Sequence, residues 1–118
     1  MTRLVIKKAE PLEKDIQNAV CEYLERRGHF FYRQNNTPIF QKTGASSGFF
    51  RAMPKWSLKG IPDIIVIGKE CGTFIGLEIK RPSGKQSPEQ KLFQQRCIQN
   101  GAEYYIIRKV DDLIEIGL

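Results

Sequence analysis

The sequence predicts an α/β chain, an α+β sandwich in which a small mixed sheet is flanked by helices. Three observations predict it: a periodic helical stretch near the start, two β-branched runs joined by a five-residue turn, and a capped second helix leading into another apolar run. With 118 residues, 41% hydrophobic and 27% charged, the chain can bury one core. The expected organisation is a single domain over 1–118. The longest apolar stretch in the first eight residues is Leu4-Val5-Ile6, too short for a signal peptide, and no run approaches the roughly 20 residues of a bilayer span. A cytoplasmic protein with no membrane partner is therefore expected.

The first helix is expected to open at Pro11, because proline is tolerated in a first turn, and to stop at Gly28. Leu12, Ile16, Ala19, Val20, Tyr23 and Leu24 recur at three- and four-residue spacing and form its apolar stripe. Aromatic-rich 29–34 reads as a strand. A long loop from Asn35 to about Gly60 follows, with a short strand near Phe49 and Phe50. Ile61 to Ile67 and Thr73 to Ile79 should pair antiparallel across the turn at 68–72. Ser87 is placed as the N-cap of the second helix, with Pro88 at its first position and Asn100-Gly101 at its end. Tyr104 to Arg108 reads as a strand, and Val110 to Ile116 as either a helical turn or an edge strand.

The one histidine, His29, excludes mechanisms that need two imidazoles, and Cys21, Cys71 and Cys97 show no zinc spacing. The thiols are expected to be free and buried. Any catalysis must rest on carboxylates or lysines, without an organic cofactor.

The net charge of +6 is unevenly placed. Between Arg26 and Pro62 there are seven basic residues and no Asp or Glu, so the remaining chain has 12 bases against 13 acids. The same stretch carries seven aromatic residues. Cations among planar rings suit a phosphate backbone with exposed bases, which makes Arg33, Lys42, Arg51, Lys55 and Lys59 the candidate DNA-binding residues. The alternative is a solvated basic face over an aromatic core.

Strand alternation puts Glu78 and Lys80 on one face and Leu77 and Ile79 on the other. The hairpin would bring Asp63, at the mouth of the preceding strand, within reach of Glu78. Two converging carboxylates make a hard-oxygen site of the kind Mg²⁺ or Mn²⁺ prefers; an exposed Glu/Lys pair is the plainer alternative. Glu13 falls inside the apolar stripe of the first helix, between Val20 and Leu24. It is there either as part of a site or because the helix N-terminus favours a carboxylate. Gln90 and Gln86 lie one and two turns before Phe93 and Cys97, pointing amides towards an apolar face where a polar group is expected.

In order along the chain, Glu13, Gly60-Ile61-Pro62-Asp63, Glu78-Ile79-Lys80-Arg81-Pro82 and Gln86-x-x-x-Gln90 resemble the VRR-NUC (virus-type replication-repair nuclease) family of the PD-(D/E)xK superfamily, in particular its minimal stand-alone phage and bacterial members. The resemblance implies a restriction-endonuclease-like core and a Mg²⁺- or Mn²⁺-dependent endonuclease acting on structured DNA such as four-way (Holliday) junctions, as a homodimer. For a phage-encoded chain the compartment would be the host cytoplasm. It also implies that Asp63, Glu78 and the Ile79 carbonyl hold the metal, that Lys80 acts on the attacking water or the phosphate, and that Glu13 and Gln90 complete the catalytic set, Glu13 as a further ligand. A non-catalytic DNA-binding module, or a restriction-type or general nuclease, are the alternatives.

Overall fold

The computed structural model describes residues 9–34, 40–41, 49–50 and 55–118, and the statements below concern these. The expected strand near Phe49 and Phe50 is present as β3 (Phe49–Phe50), paired antiparallel with β2 (Phe40–Gln41). Most of the loop around them lies outside the described residues.

Helix α1 (Glu13–Arg26) starts later than the sequence suggests. Leu12 is its N-cap in extended backbone, so Pro11 precedes the helix and does not occupy its first turn. Glu13 and Asp15 stand where the helix dipole favours anions. The buried stripe narrows to Ile16, Val20 and Leu24, four residues apart, while Leu12 is 56% exposed and Ala19 is also exposed.

The main sheet has the order β1-β4-β5-β6. Strand β1 (Phe30–Arg33) pairs antiparallel with β4 (Ile64–Ile67), and β4 antiparallel with β5 (Phe74–Ile79). Strand β6 (Glu103–Ile107) lies parallel to β5, because α2 (Pro88–Gln99) provides the crossover that a parallel connection needs. The ambiguous end of the chain is helical: α3 (Val110–Glu115) packs on α1 and β6.

Alternation along β4 and β5 divides the sheet. Ile64, Val66, Ile75, Leu77 and Ile79 join Ile16, Val20 and Leu24 in the core under α1. Asp63, Gly76 and Glu78 face the other way. On that face a close approach requires glycine: a Cβ on Gly76 would lie 2.7 Å from Cγ of the buried Pro62. At the same corner Gly60, with φ of 79°, abuts the α2 backbone at Glu89 and Gln90, so a side chain there would be strained and would collide. These contacts hold the segment leading into Asp63 against the first turn of α2.

The cysteines are free, as expected, but only Cys97 is buried; Cys71 is exposed in the β4–β5 turn, where no core reaches it. Among the described residues no helix is long and apolar enough to cross a membrane.

Candidate active site

Ile64 pairs with Leu77, and continuing the register by one residue sets Asp63 opposite Glu78. The two carboxylates therefore meet where β4 begins and β5 ends. Asp63 is anchored twice: its Oδ2 accepts from the Ile79 N–H at 2.8 Å, and its carbonyl accepts from the Gln34 N–H at 2.8 Å.

Glu78 is 3% exposed and is the buried charged residue among those described. Its Oε1 accepts from Gln90 Nε2 at 2.8 Å and lies 3.9 Å from Lys80 Nζ. Its Oε2 is buried without a hydrogen-bond donor. Burial and the adjacent Asp63 carboxylate push the Glu78 pKa up to about 8, with a smaller contribution from Glu13 and opposed by Lys80.

Gln90 does two jobs through one amide. Its oxygen accepts from the Ser87 N–H at 2.9 Å while the Ser87 hydroxyl accepts from the Gln90 N–H at 3.2 Å, a capping box at the start of α2. Its nitrogen then donates to Glu78. The polar group expected beneath the glutamines is thus Glu78, and the helix cap fixes the rotamer that reaches it. Gln86 is turned aside, donating to Gln94 at 2.9 Å.

The other candidates are placed less uniformly. Glu13 is exposed and does not face the core, because at the first position of α1 it lies at the helix end, beyond the sheet contact. Its charge still reaches Glu78. Arg33 lies on the α1 side of β1, opposite to the Glu78 face; with the Gln17 amide oriented to satisfy both groups, its guanidinium donates to the Gln17 oxygen at 2.8 and 3.2 Å. Lys55 and Lys59 are exposed ahead of Gly60, whereas Lys42 and Arg51 lie outside the described residues.

Two positioning groups escape sequence reasoning. Arg108 donates to the carbonyls of Arg81, Pro82 and Gly84 at 2.6, 3.2 and 2.8 Å, clamping the turn that leaves Lys80. Tyr104 is buried on the Glu78 face, and burial together with the Glu78 charge raises its pKa. Alternation marks Tyr104 as one-faced, but only the parallel β5–β6 register brings it beside Gly76.

A divalent cation fits the residues present. Asp63 and Glu78 supply hard oxygens, Glu78 Oε2 lacks a donor, and burial and Asp63 push Glu78 towards its protonated form, a penalty that a cation in the proton's place would relieve. Among the described residues no cluster of three His, Cys, Asp or Glu side chains forms, so the protein's share would be two carboxylates and main-chain oxygen. That is a usual share for Mg²⁺, which retains several waters.

This arrangement of sheet, crossover helix and converging carboxylates can be set beside known structures. A solved structure described as "VRR_NUC domain" superposes with a TM-score of 0.60, at 22% identity, covering 90% of this chain and 97% of the other. The fold is that of a VRR_NUC domain. The small mixed sheet flanked by helices, an α+β arrangement, expected from the sequence is therefore present. No family model and no curated protein matches the chain in sequence.

Proposed function

We propose that this chain is a VRR-NUC nuclease, a single domain that hydrolyses DNA phosphodiester bonds with Mg²⁺ or Mn²⁺. The observation that carries the reading is the buried Glu78 facing Asp63 in a VRR_NUC fold, with an oxygen that no protein donor satisfies. A purely structural carboxylate at this depth would be costly unless paired.

Asp63, Glu78 and the Ile79 carbonyl would hold the ion, and Glu13 would approach from the end of α1 when substrate is bound. Bound there, the ion would lower the pKa of its water and polarise a phosphate oxygen. The Ile79 N–H holds Asp63 in its rotamer, and Gln90 holds Glu78, so neither carboxylate needs to reorganise on binding. Lys80, its side chain 14% exposed beside Glu78, orients the attacking water or offsets charge growing on the phosphoryl oxygens. Lys55 and Lys59 contact the phosphate backbone, with Lys42 and Arg51 in the same basic stretch, whereas Arg33, held by Gln17 on the α1 side, stands apart from this contact.

The finer reading is a homodimer that prefers four-way junctions over linear duplex. One site per chain makes one nick, whereas resolving a junction needs two matched nicks, which a two-fold dimer supplies. The test is cleavage of labelled junction, flap and linear DNA with and without Mg²⁺ by wild type, Asp63→Asn, Glu78→Gln and Lys80→Ala. Each variant should lose cleavage while DNA affinity stays within a few-fold of wild type. Cleavage by Asp63→Asn at the wild-type rate would refute the site.

A further inference from the structure

Trp56 is 88% exposed, the largest exposure among the large hydrophobic residues described. It also has φ of 74° and is, among the described residues, the non-glycine residue at positive φ. A bulky side chain resists that conformation, and strain of this kind tends to collect where a residue is used. Lys55 Nζ lies 5.0 Å from the ring centroid, holding a cation over one face. Exposed Phe30 and Tyr32, by contrast, sit in regular strand.

The position of Trp56 is bounded by the chain. Gly60, four residues on, abuts the α2 backbone at Gln90, whose side chain holds Glu78, so Trp56 lies within about 14 Å of that contact. Between them Leu58 and Lys59 line a small cavity of about 130 Å³ with Leu92, Phe93 and Arg96; the one acid there is Glu89. Lys59 and Arg96 thus set two cations at this apolar cavity against one acid, and Lys55 sets a third on the Trp56 ring.

Resting on the nuclease reading, we infer that Trp56 is a stacking platform for an unpaired nucleobase of the DNA substrate. Its ring takes the base face while Lys55 and Lys59 take the flanking phosphates, so the residue selects DNA in which a base is free, at a branch or single-stranded end, over closed duplex. Stacking on an aromatic ring tolerates any base, so this selection is by structure and not by sequence.

Trp56 is the only tryptophan in the chain, so emission excited at the red edge, where the tyrosines do not absorb, reports it alone. The experiment titrates metal-free protein in EDTA with a four-way junction, a single strand and a closed duplex, a relaxed circle with neither ends nor loops, following emission and affinity together. Junction and single strand should quench the emission and the closed duplex should not. Trp56→Gly removes the ring and also relieves the positive φ, so its thermal midpoint should hold or rise. Its affinity for junction relative to closed duplex should fall roughly 5- to 150-fold, the equivalent of about 1–3 kcal/mol. Equal quenching by all three DNAs, an unchanged affinity ratio, or emission that follows protein dilution because a second copy covers the ring would each overturn the inference. Cleavage assayed separately with Mg²⁺ keeps the two readings apart: quenching without cleavage sinks the nuclease, and cleavage without selective quenching sinks the platform.

Discussion

Replacing Glu78 by glutamine should stabilise the metal-free protein at alkaline pH, although it removes a charged group from the centre of the site. With its pKa raised from 4.5 to about 8, the folded chain holds a proton between those values that the unfolded chain has released. Unfolding then releases a proton, so stability falls as pH rises through this window. The contribution is fully present below about 4.5 and lost above about 8. The interval is about 3.5 pH units, and at about 1.4 kcal/mol per unit the ceiling is roughly 5 kcal/mol. Glutamine keeps an oxygen for Gln90 and brings an amide donor to the Asp63 carboxylate, replacing repulsion by a hydrogen bond.

The assay is thermal unfolding of wild type and Glu78→Gln from pH 5 to pH 9 in EDTA. Taking the difference between the two proteins removes the pH dependence of all other groups. The variant should gain little at pH 5 and a few kcal/mol at pH 9, on the order of 10 °C in midpoint for a domain of this size. Millimolar Mg²⁺ at pH 8 should raise the wild-type midpoint, because an ion that binds only the folded cluster acts by mass action, and should leave Glu78→Gln nearly unmoved. Parallel midpoint curves across the whole range would show that Glu78 is not buried against Asp63, and the argument for a cation site would go with them.

Four further outcomes follow from the same geometry. Gln90→Glu keeps the oxygen that caps α2 but sets a further carboxylate against Glu78, so the metal-free protein should lose stability at alkaline pH in thermal unfolding, and Mg²⁺, by neutralising the cluster, should raise its midpoint more than that of the wild type. Ser87→Ala removes the side-chain cap and should lower stability by about 1 kcal/mol in urea unfolding while cleavage persists. Gly76→Ala drives a methyl group into Pro62 and should cost about 1–3 kcal/mol by the same measurement; an unaltered midpoint would mean that this corner is not packed as described. Arg108→Ala removes the side-chain donor from three carbonyls, of which Arg81 keeps only the Gly84 N–H, and should lower kcat more than it changes DNA affinity, because the freed turn adjoins Lys80; equal loss of both would indicate general unfolding.

What the sequence reveals divides along physical lines. Period-two alternation showed that Glu78 and Lys80 share a face, and a hairpin short enough to fix its own register placed Asp63 opposite Glu78, so the centre of the site was legible from local pattern. Ser87-Pro88 was equally local, since a cap satisfies donors three residues away. Reading failed where a position depends on how elements meet. Glu13 falls inside the helical wheel's apolar stripe, yet the stripe does not extend to the helix end, where no neighbour covers it. Arg33 counts as one more cation in a basic run until β1 is paired with β4; its alternation then turns it to the α1 side, where Gln17 takes its guanidinium. Arg108 has no local signal, because the carbonyls it clamps are about 25 residues away and adjoin it only through the parallel pairing of β5 and β6. The charge run from Arg26 to Pro62 is therefore not one surface. Arg33 turns to the α1 side, while Lys55 and Lys59 stand ahead of Gly60, and the segment they begin is the one that Gly60 and Pro62 pin beside the carboxylates. It follows that substitutions at Lys55 and Lys59 should weaken phosphate contact next to the site, whereas Arg33→Ala should act first on the packing of β1 against α1.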